Sequence, residues 1–201
     1  MISSITADLF VEDRAHEEFL KAALARLARQ EGRTLNLRVR SARGGHGRAL
    51  GELMLYQKSV TKIPPMGGLP DLLCVAIDAN CRRYHEACQE VYGKLERPFR
   101  ERAIVACPDP HIERWYLADP DSFAEVVGVR PKVGRRKCER DRYKAMLSKA
   151  IMDAGHPPTL GGIEFAREIV ERMDLYRAGK AERSLKRFLE EVAARLRTFA
   201  G

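Results

Sequence analysis

The sequence predicts an α/β fold: a central, mostly parallel sheet of about four strands flanked by helices, with a helical C-terminal part. Three observations carry this. Strand and helix patterns alternate over roughly the first 110 residues, the order that builds a parallel sheet through right-handed crossovers. The segment Leu72–Ile77 (LLCVAI) is apolar at every position, as in a strand covered on both faces. Beyond Val127 the recurring pattern is helical, with no further strand.

The elements follow in order. Ile5–Val11 (ITADLFV) reads as the first strand. Arg14–Gln30 carries Phe19, Leu20, Ala23, Leu24 and Leu27 at helical spacing. Leu35–Val39 (LNLRV) alternates apolar and polar residues, a second strand. Ser41–Gly47 is a glycine-rich loop and Arg48–Val60 a helix. Pro64, Pro65, Gly67, Gly68 and Pro70 make Ile63–Pro70 a loop. Leu72–Ile77 is the third strand, Arg82–Leu95 a helix and Ala103–Cys107 (AIVAC) the fourth strand. Short helices start within His111–Ala118 and Asp121–Val127. Longer ones span Asp141–Ala154, Gly162–Met173 and Ala181–Phe199, with breaks at Gly155–Thr159 and Tyr176–Lys180. This divides the chain into an α/β domain, 1–128, and a basic segment with C-terminal helices packed on it, 129–201. The stripe Leu185, Phe188, Leu189, Val192, Leu196 and Phe199 suits packing on the chain's own core, or a homo-oligomer or partner interface.

Hydrophobic residues make up 45% of the 201 residues, enough for a sizeable core. No apolar run nears the roughly 18 residues a membrane helix needs. The N-terminus lacks a basic flank before an apolar stretch. A soluble, cytoplasmic protein with no membrane partner is expected. Five cysteines, an odd number without a CxxC pair, predict reduced thiols rather than a disulfide or zinc framework.

The net charge of +8 is unevenly placed. Arg130–Lys149 holds nine Lys/Arg and two acids, a local +7, including Arg135, Arg136, Lys137, Arg140 and Lys144. Arg33–Arg48 holds five arginines and no acid. Such clusters suit a phosphate backbone, whose neutralisation releases counterions, and make DNA or RNA the expected partner. The alternative is a solvated basic surface. Arg43 and Arg48 flank the Gly44-Gly45-His46-Gly47 loop, where glycine lets backbone approach a phosphate. No Gly-Lys-Ser/Thr follows it, which excludes a P-loop ATPase.

In parallel sheets ligands bind beyond the carboxyl ends of the strands, and two of those ends are acidic. Glu12 and Asp13 follow the first strand; Asp78 and Asn80 follow the third. Two readings fit Asp78-Ala79-Asn80. If the backbone stays extended, both side chains lie on one side and can serve a divalent ion that takes oxygen ligands. Alternatively, a strand leaves the core at Asp78 and Asn80 caps the next helix. After the fourth strand comes Pro108-Asp109-Pro110-His111-Ile112-Glu113-Arg114-Trp115, in which Glu113 is the candidate functional residue, Trp115 reads as core, and Asp109 shapes a turn.

FVEDRAHEEFLKAAL resembles the first Toprim motif, IDAN resembles the Toprim DxD, and PDPHIERWYLADP resembles the signature of DUF4276-type Toprim-like proteins, relatives of the OLD and RloB nuclease groups. The four segments, with the GGHG loop, come in that family's order and cover most of the chain. The resemblance implies a Toprim-like (Rossmann-like) sheet and a nuclease dependent on Mg²⁺ (or Mn²⁺) that hydrolyses DNA or RNA as the effector of an anti-phage defence system. It implies catalytic Glu12, Asp78 and Glu113, metal ligands Glu12, Asp78, Asn80 and, less securely matched, Glu17, and an ABC-type ATPase partner. Two departures stand out: Asp13 replaces the usual glycine after the glutamate, and Asn80 removes one formal charge. The rivals are a catalytically degenerate module that binds nucleic acid or a partner ATPase without cutting, and a metal-dependent phosphatase or nucleotidyl hydrolase acting on a small substrate.

Overall fold

The computed structural model describes residues 4–42, 45–62, 68–139 and 141–199. Its centre is a four-stranded, all-parallel sheet in the order β2-β1-β3-β4, where β1 is Ser4–Val11, β2 Thr34–Ser41, β3 Leu72–Ala76 and β4 Ala103–Ala106. Helices α1 (Arg14–Gln30), α2 (His46–Lys62) and α3 (Tyr84–Gly93) with the single turn α4 (Arg97–Arg100) make the crossovers. Then follow α5 (Glu113–Tyr116), α6 (Pro120–Val127), α7 (Arg142–Asp153), a 3-10 turn (Ile163–Phe165), α8 (Ala166–Arg172), α9 (Leu175–Ala181) and α10 (Arg183–Thr198). The fold is the expected α/β, Rossmann-like one.

Alternation along each strand sorts the core into two layers. Leu9, Val11, Leu72, Cys74, Ala76, Ile104 and Ala106 face α1 and the C-terminal helices; Phe10, Leu73, Val75, Val105 and Cys107 face α2, α3 and α4. Each large side chain so buried contributes roughly 1.5–3 kcal/mol. The C-terminal helices share the first layer: Phe188, Val192 and Leu196 of α10 join the cluster that contains Leu9 and Phe19.

The topology fixes where a ligand would sit. β2 lies on one side of β1 and β3 on the other, so the strand order reverses between β1 and β3, and the crevice at their carboxyl ends is the switch point of the sheet. The register sets Val11 opposite Ala76. Glu12 and Asp78 therefore leave the sheet at nearly the same level.

Two expectations are corrected. Tyr176–Lys180 is not a break but lies within α9, whose N-cap Asp174 accepts from the Tyr176 and Arg177 N–H groups at 3.0 Å. Gly179, inside this helix, marks a close approach: a Cβ there would lie 3.1 Å from Lys186 Cβ. Cys81 and Cys138 form a disulfide, with Cα atoms 5.6 Å apart, instead of remaining thiols. Among the described residues no helix is long and apolar enough to cross a membrane.

Candidate metal centre

Two hydrogen bonds tie the acidic strand ends together. The Glu12 N–H donates to the Ala76 carbonyl at 3.0 Å, and the Asp78 N–H donates to Glu12 Oε2 at 3.0 Å. Both residues are buried. Asp13 is the N-cap of α1: its Oδ1 accepts from the His16 N–H at 3.1 Å, which explains an acid where a glycine was expected. The same oxygen lies 2.8 Å from His16 Nδ1, and His16 Nε2 lies 3.0 Å from Asp78 Oδ1. Ionised carboxylates only accept, so this bridge is satisfied by an imidazole that donates from both nitrogens.

The electrostatics follow from crowding. Burial raises the Glu12 carboxyl, and the charge of Asp78 raises it further against the pull of His16. Burial works against a charged His16, but the charge of Asp78 and the bonds to Asp13 and Asp78 outweigh it and hold His16 well above 6.5. Burial also opposes ionisation of Asp13, yet His16 brings that carboxyl down to about 2. Donor atoms of Glu12, His16 and Asp78 all lie within 4.8 Å of one another, the one such group among the described residues.

Glu113 opens α5 at the rim of this group, outside the 4.8 Å set. Burial, with the charge of Asp78 adding, pushes its carboxyl up to about 7. Its neighbours in the sequence explain the rest of that motif. Arg114 pairs with buried Glu182 at 2.5 Å and donates to the Tyr143 hydroxyl at 2.8 Å. Trp115 Nε1 donates to Ser184 Oγ at 2.9 Å, and the Tyr116 hydroxyl donates to the Ala15 carbonyl at 2.8 Å. One short helix thus braces Glu113 against α1, α7 and the start of α10.

Asn80 is not brought in as the extended-backbone reading expected. The strand ends at Ala76, and Asn80 adopts φ 47. Its side chain donates to the Asp78 carbonyl at 3.3 Å. It does not cap α3 either, whose N-cap is Arg83. Glu17 lies one turn along α1, pairs with Lys21 at 3.6 Å, and lines a pocket of about 540 Å³ with Glu12, Asp13 and Glu18.

Two contacts hold the basic segment near the carboxyl ends of β3 and β4. The disulfide Cys81–Cys138 ties the +7 segment to the turn after β3, and Arg136 Nε donates to Asp109 at 3.0 Å beside β4. Lys137 pairs with Glu139 at 3.9 Å, and Arg48 with Glu52 at 2.9 Å. Arg135 and Lys144 are exposed and make no ion pair among the described residues. Arg43 and Arg140 lie outside the described residues. Within the GGHG stretch, His46 Nε2 contacts Glu90 at 3.0 Å and Arg82 at 2.6 Å, which joins the start of α2 to α3.

Sequence reasoning passed over His16. The available signal was its spacing: it sits at i+3 from the cap Asp13 and on the same helical face as Phe19, Leu20, Ala23 and Leu27. A family model described as "Domain of unknown function (DUF4276)" matches residues 11–193, so the chain belongs to that family. A search of the curated proteins and a search of the solved structures each found no match.

Proposed function

We propose that this member of the DUF4276 family is a Toprim-like, Mg²⁺- or Mn²⁺-dependent nuclease that hydrolyses phosphodiester bonds of DNA or RNA, acting in anti-phage defence beside an ABC-type ATPase. One observation carries the reading: two buried acids from adjacent strand ends meet at the sheet's switch point, while a disulfide tethers the most basic segment to the same edge. The donor set fits a hard divalent cation. Glu12 and Asp78 offer carboxylate oxygens, no Lys or Arg pairs with either among the described residues, and burial beside a like charge raises Glu12. Glu12 and Asp78 would hold the ion, with Glu113 at the rim and Glu17 and Asn80 further out.

When bound, such an ion polarises the phosphodiester and activates water. The chain's own residues do the positioning. His16 holds one oxygen of Asp78, as an outer hydrogen-bond partner orients a ligand. Asp13 holds His16. Arg135, Lys137 and Lys144 would grip the phosphate backbone, each contact releasing counterions.

A second reading has its own observation. Asn80 turns its amide to the Asp78 carbonyl instead of joining the acids, which favours a degenerate module that binds nucleic acid or an ATPase without cutting. Cleavage of plasmid, single-stranded DNA and total tRNA with Mg²⁺, Mn²⁺ or EDTA, alongside Asp78→Ala, separates the two. Metal-dependent products lost in the variant support the nuclease. Salt-dependent binding without product, and without Mn²⁺ binding by calorimetry, overturns it in favour of the binding module.

A further inference from the structure

Residues 129–139 run between α6 and α7 without helix or strand, and 134–139 are exposed. Among the described residues, 129–138 make no backbone–backbone hydrogen bond. Three consecutive residues fasten the segment instead, each to a different part of the molecule. Arg136 donates to Asp109, after β4, from Nε at 3.0 Å and from Nη2 at 2.5 Å. The Lys137 N–H donates to the Tyr143 hydroxyl at 2.8 Å, and that oxygen also accepts from Arg114, beside Glu113, at 2.8 Å. Cys138 is bonded to Cys81, three residues past Asp78.

These ties are unequal. The Arg136–Asp109 pair is partly exposed, the kind of ion pair that contributes little, and the Lys137 bond is a single neutral one. The covalent bond is therefore the tie that fixes where the segment lies. Both of its cysteines are exposed, open to thiol exchange. It also closes on a strained turn. Asn80 and Cys81 take φ 47 and 68, a left-handed conformation that persists at non-glycine residues where the surroundings enforce it. Buried Pro131, and Val133 packed on the core, anchor the start of the segment independently of the bond.

We propose that Cys81–Cys138 is a redox clasp: a dithiol reductant opens it and releases the basic segment from the acidic edge. One thiolate of the dithiol attacks the Cys138 sulfur. The S–S bond breaks, and Cys81 leaves as a thiolate and takes a proton. The second thiolate of the reductant then attacks its own sulfur in the mixed disulfide, and Cys138 leaves and is protonated. The dithiol gives up two electrons and two protons and becomes a disulfide; the cystine becomes two thiols. The clasp stands apart from any metal chemistry. Its effect on nucleic acid rests on the proposed function: cations held in place bind with less ordering than cations on a freed segment.

The test reads the segment at its own bonds, because Arg135, Arg136 and Lys137 are tryptic sites. The full chain is treated with dithiothreitol or with buffer, blocked with iodoacetamide, freed of reagent and digested briefly with trypsin. Untreated, non-reducing mass spectrometry should find the Cys81 peptide joined to the Cys138 peptide. After reduction, cleavage after 135–137 should run about tenfold or more faster, with other sites unchanged. Cys138→Ser should digest at the reduced rate without reductant. Free Cys81 and Cys138 in the untreated chain would overturn the proposal, as would equal digestion in the two states. Loss of the native circular dichroism spectrum on reduction would make the bond a staple of the whole fold and also overturn it. In EDTA, affinity for a single-stranded oligonucleotide should fall about tenfold on reduction. Binding in neither state, with the tryptic difference intact, would count against the nucleic-acid reading and leave the clasp standing.

Discussion

Strand β1 and the residue that follows it carry two buried acids, and the chain treats them in opposite ways. Asp8, mid-strand, is met by Arg38 of β2 and by the Tyr56 hydroxyl of α2. Glu12, at the strand end, is met by the Asp78 backbone N–H and by the like charge of the Asp78 side chain, with His16 the nearest cationic group. An acid that serves the fold is closed off by a permanent cation and a phenol. An acid left beside another acid costs stability at neutral pH, and such a cost is typical of a site shaped for a ligand rather than for the apo fold.

The sharpest break in this comparison is Asp78→Asn against Asp8→Ala. Asp78→Asn keeps an acceptor for His16 but removes a ligand charge. Metal-dependent cleavage should fall by about a thousandfold or more, while the unfolding free energy from urea denaturation stays within about 1 kcal/mol of the native protein or rises. Asp8→Ala should do the reverse. Leaving Arg38 and Tyr56 without their acceptor costs about 2–3 kcal/mol in urea denaturation, and cleavage by the remaining folded protein is unchanged. Equal stability losses in the two variants would remove the distinction.

His16→Gln is the next step down. It shortens the reach from α1 to Asp78, and loss of an outer partner typically lowers metal affinity or rate by about 10–100-fold. Mn²⁺ calorimetry together with cleavage rates checks this. Wild-type Mn²⁺ affinity would reduce His16 to a buried helix residue.

A smaller effect is the pH dependence of stability. The Glu113 carboxyl is raised to about 7 from an ordinary 4.5, so the native state holds its proton longer than the unfolded chain, and stability falls as pH rises from 4.5 to 7. His16 acts in the same direction: its contribution is complete below 6.5 and is lost as pH climbs through its raised native value. Asp13 acts at the other end, with a contribution present above 3.8 and lost as pH falls toward about 2. Thermal melts across pH 4–8 should decline on the alkaline side, and Glu113→Gln should flatten that decline. The smallest expected effect is Lys144→Ala, which should weaken nucleic-acid binding evenly across sequences and reduce the salt slope by about 1.

The strands were legible because their patterns are strong. Leu72–Ile77 is apolar on both faces and lies between two core layers, and the acids after β1 and β3 are set on a common edge by parallel pairing alone. Glu12 and Asp78 could therefore be chosen from the chain. His16 could not be placed so readily, since its partners are one cap residue and one acid 62 positions away. The extended reading of Asp78–Asn80 fails because the chain turns there, with Asn80 and Cys81 both at positive φ. The Cys81–Cys138 bond spans 57 positions, and odd cysteine counts carry no pairing information. Tyr176–Lys180 reads as a break, yet Gly179 there sits within a helix, where it makes room for Lys186.

The bracing of α5 bears on modularity. Its Arg114 finds a counter-charge at Glu182, its Trp115 finds an acceptor at Ser184, and its Tyr143 partner lies on α7. Severing the chain after residue 128 would strand a buried guanidinium and a buried indole N–H in the α/β half, each at a cost of about 1–3 kcal/mol or more. The helix that presents Glu113 is thus assembled from both ends of the sequence. Any transplant of the acidic edge into another scaffold must carry the C-terminal helices with it.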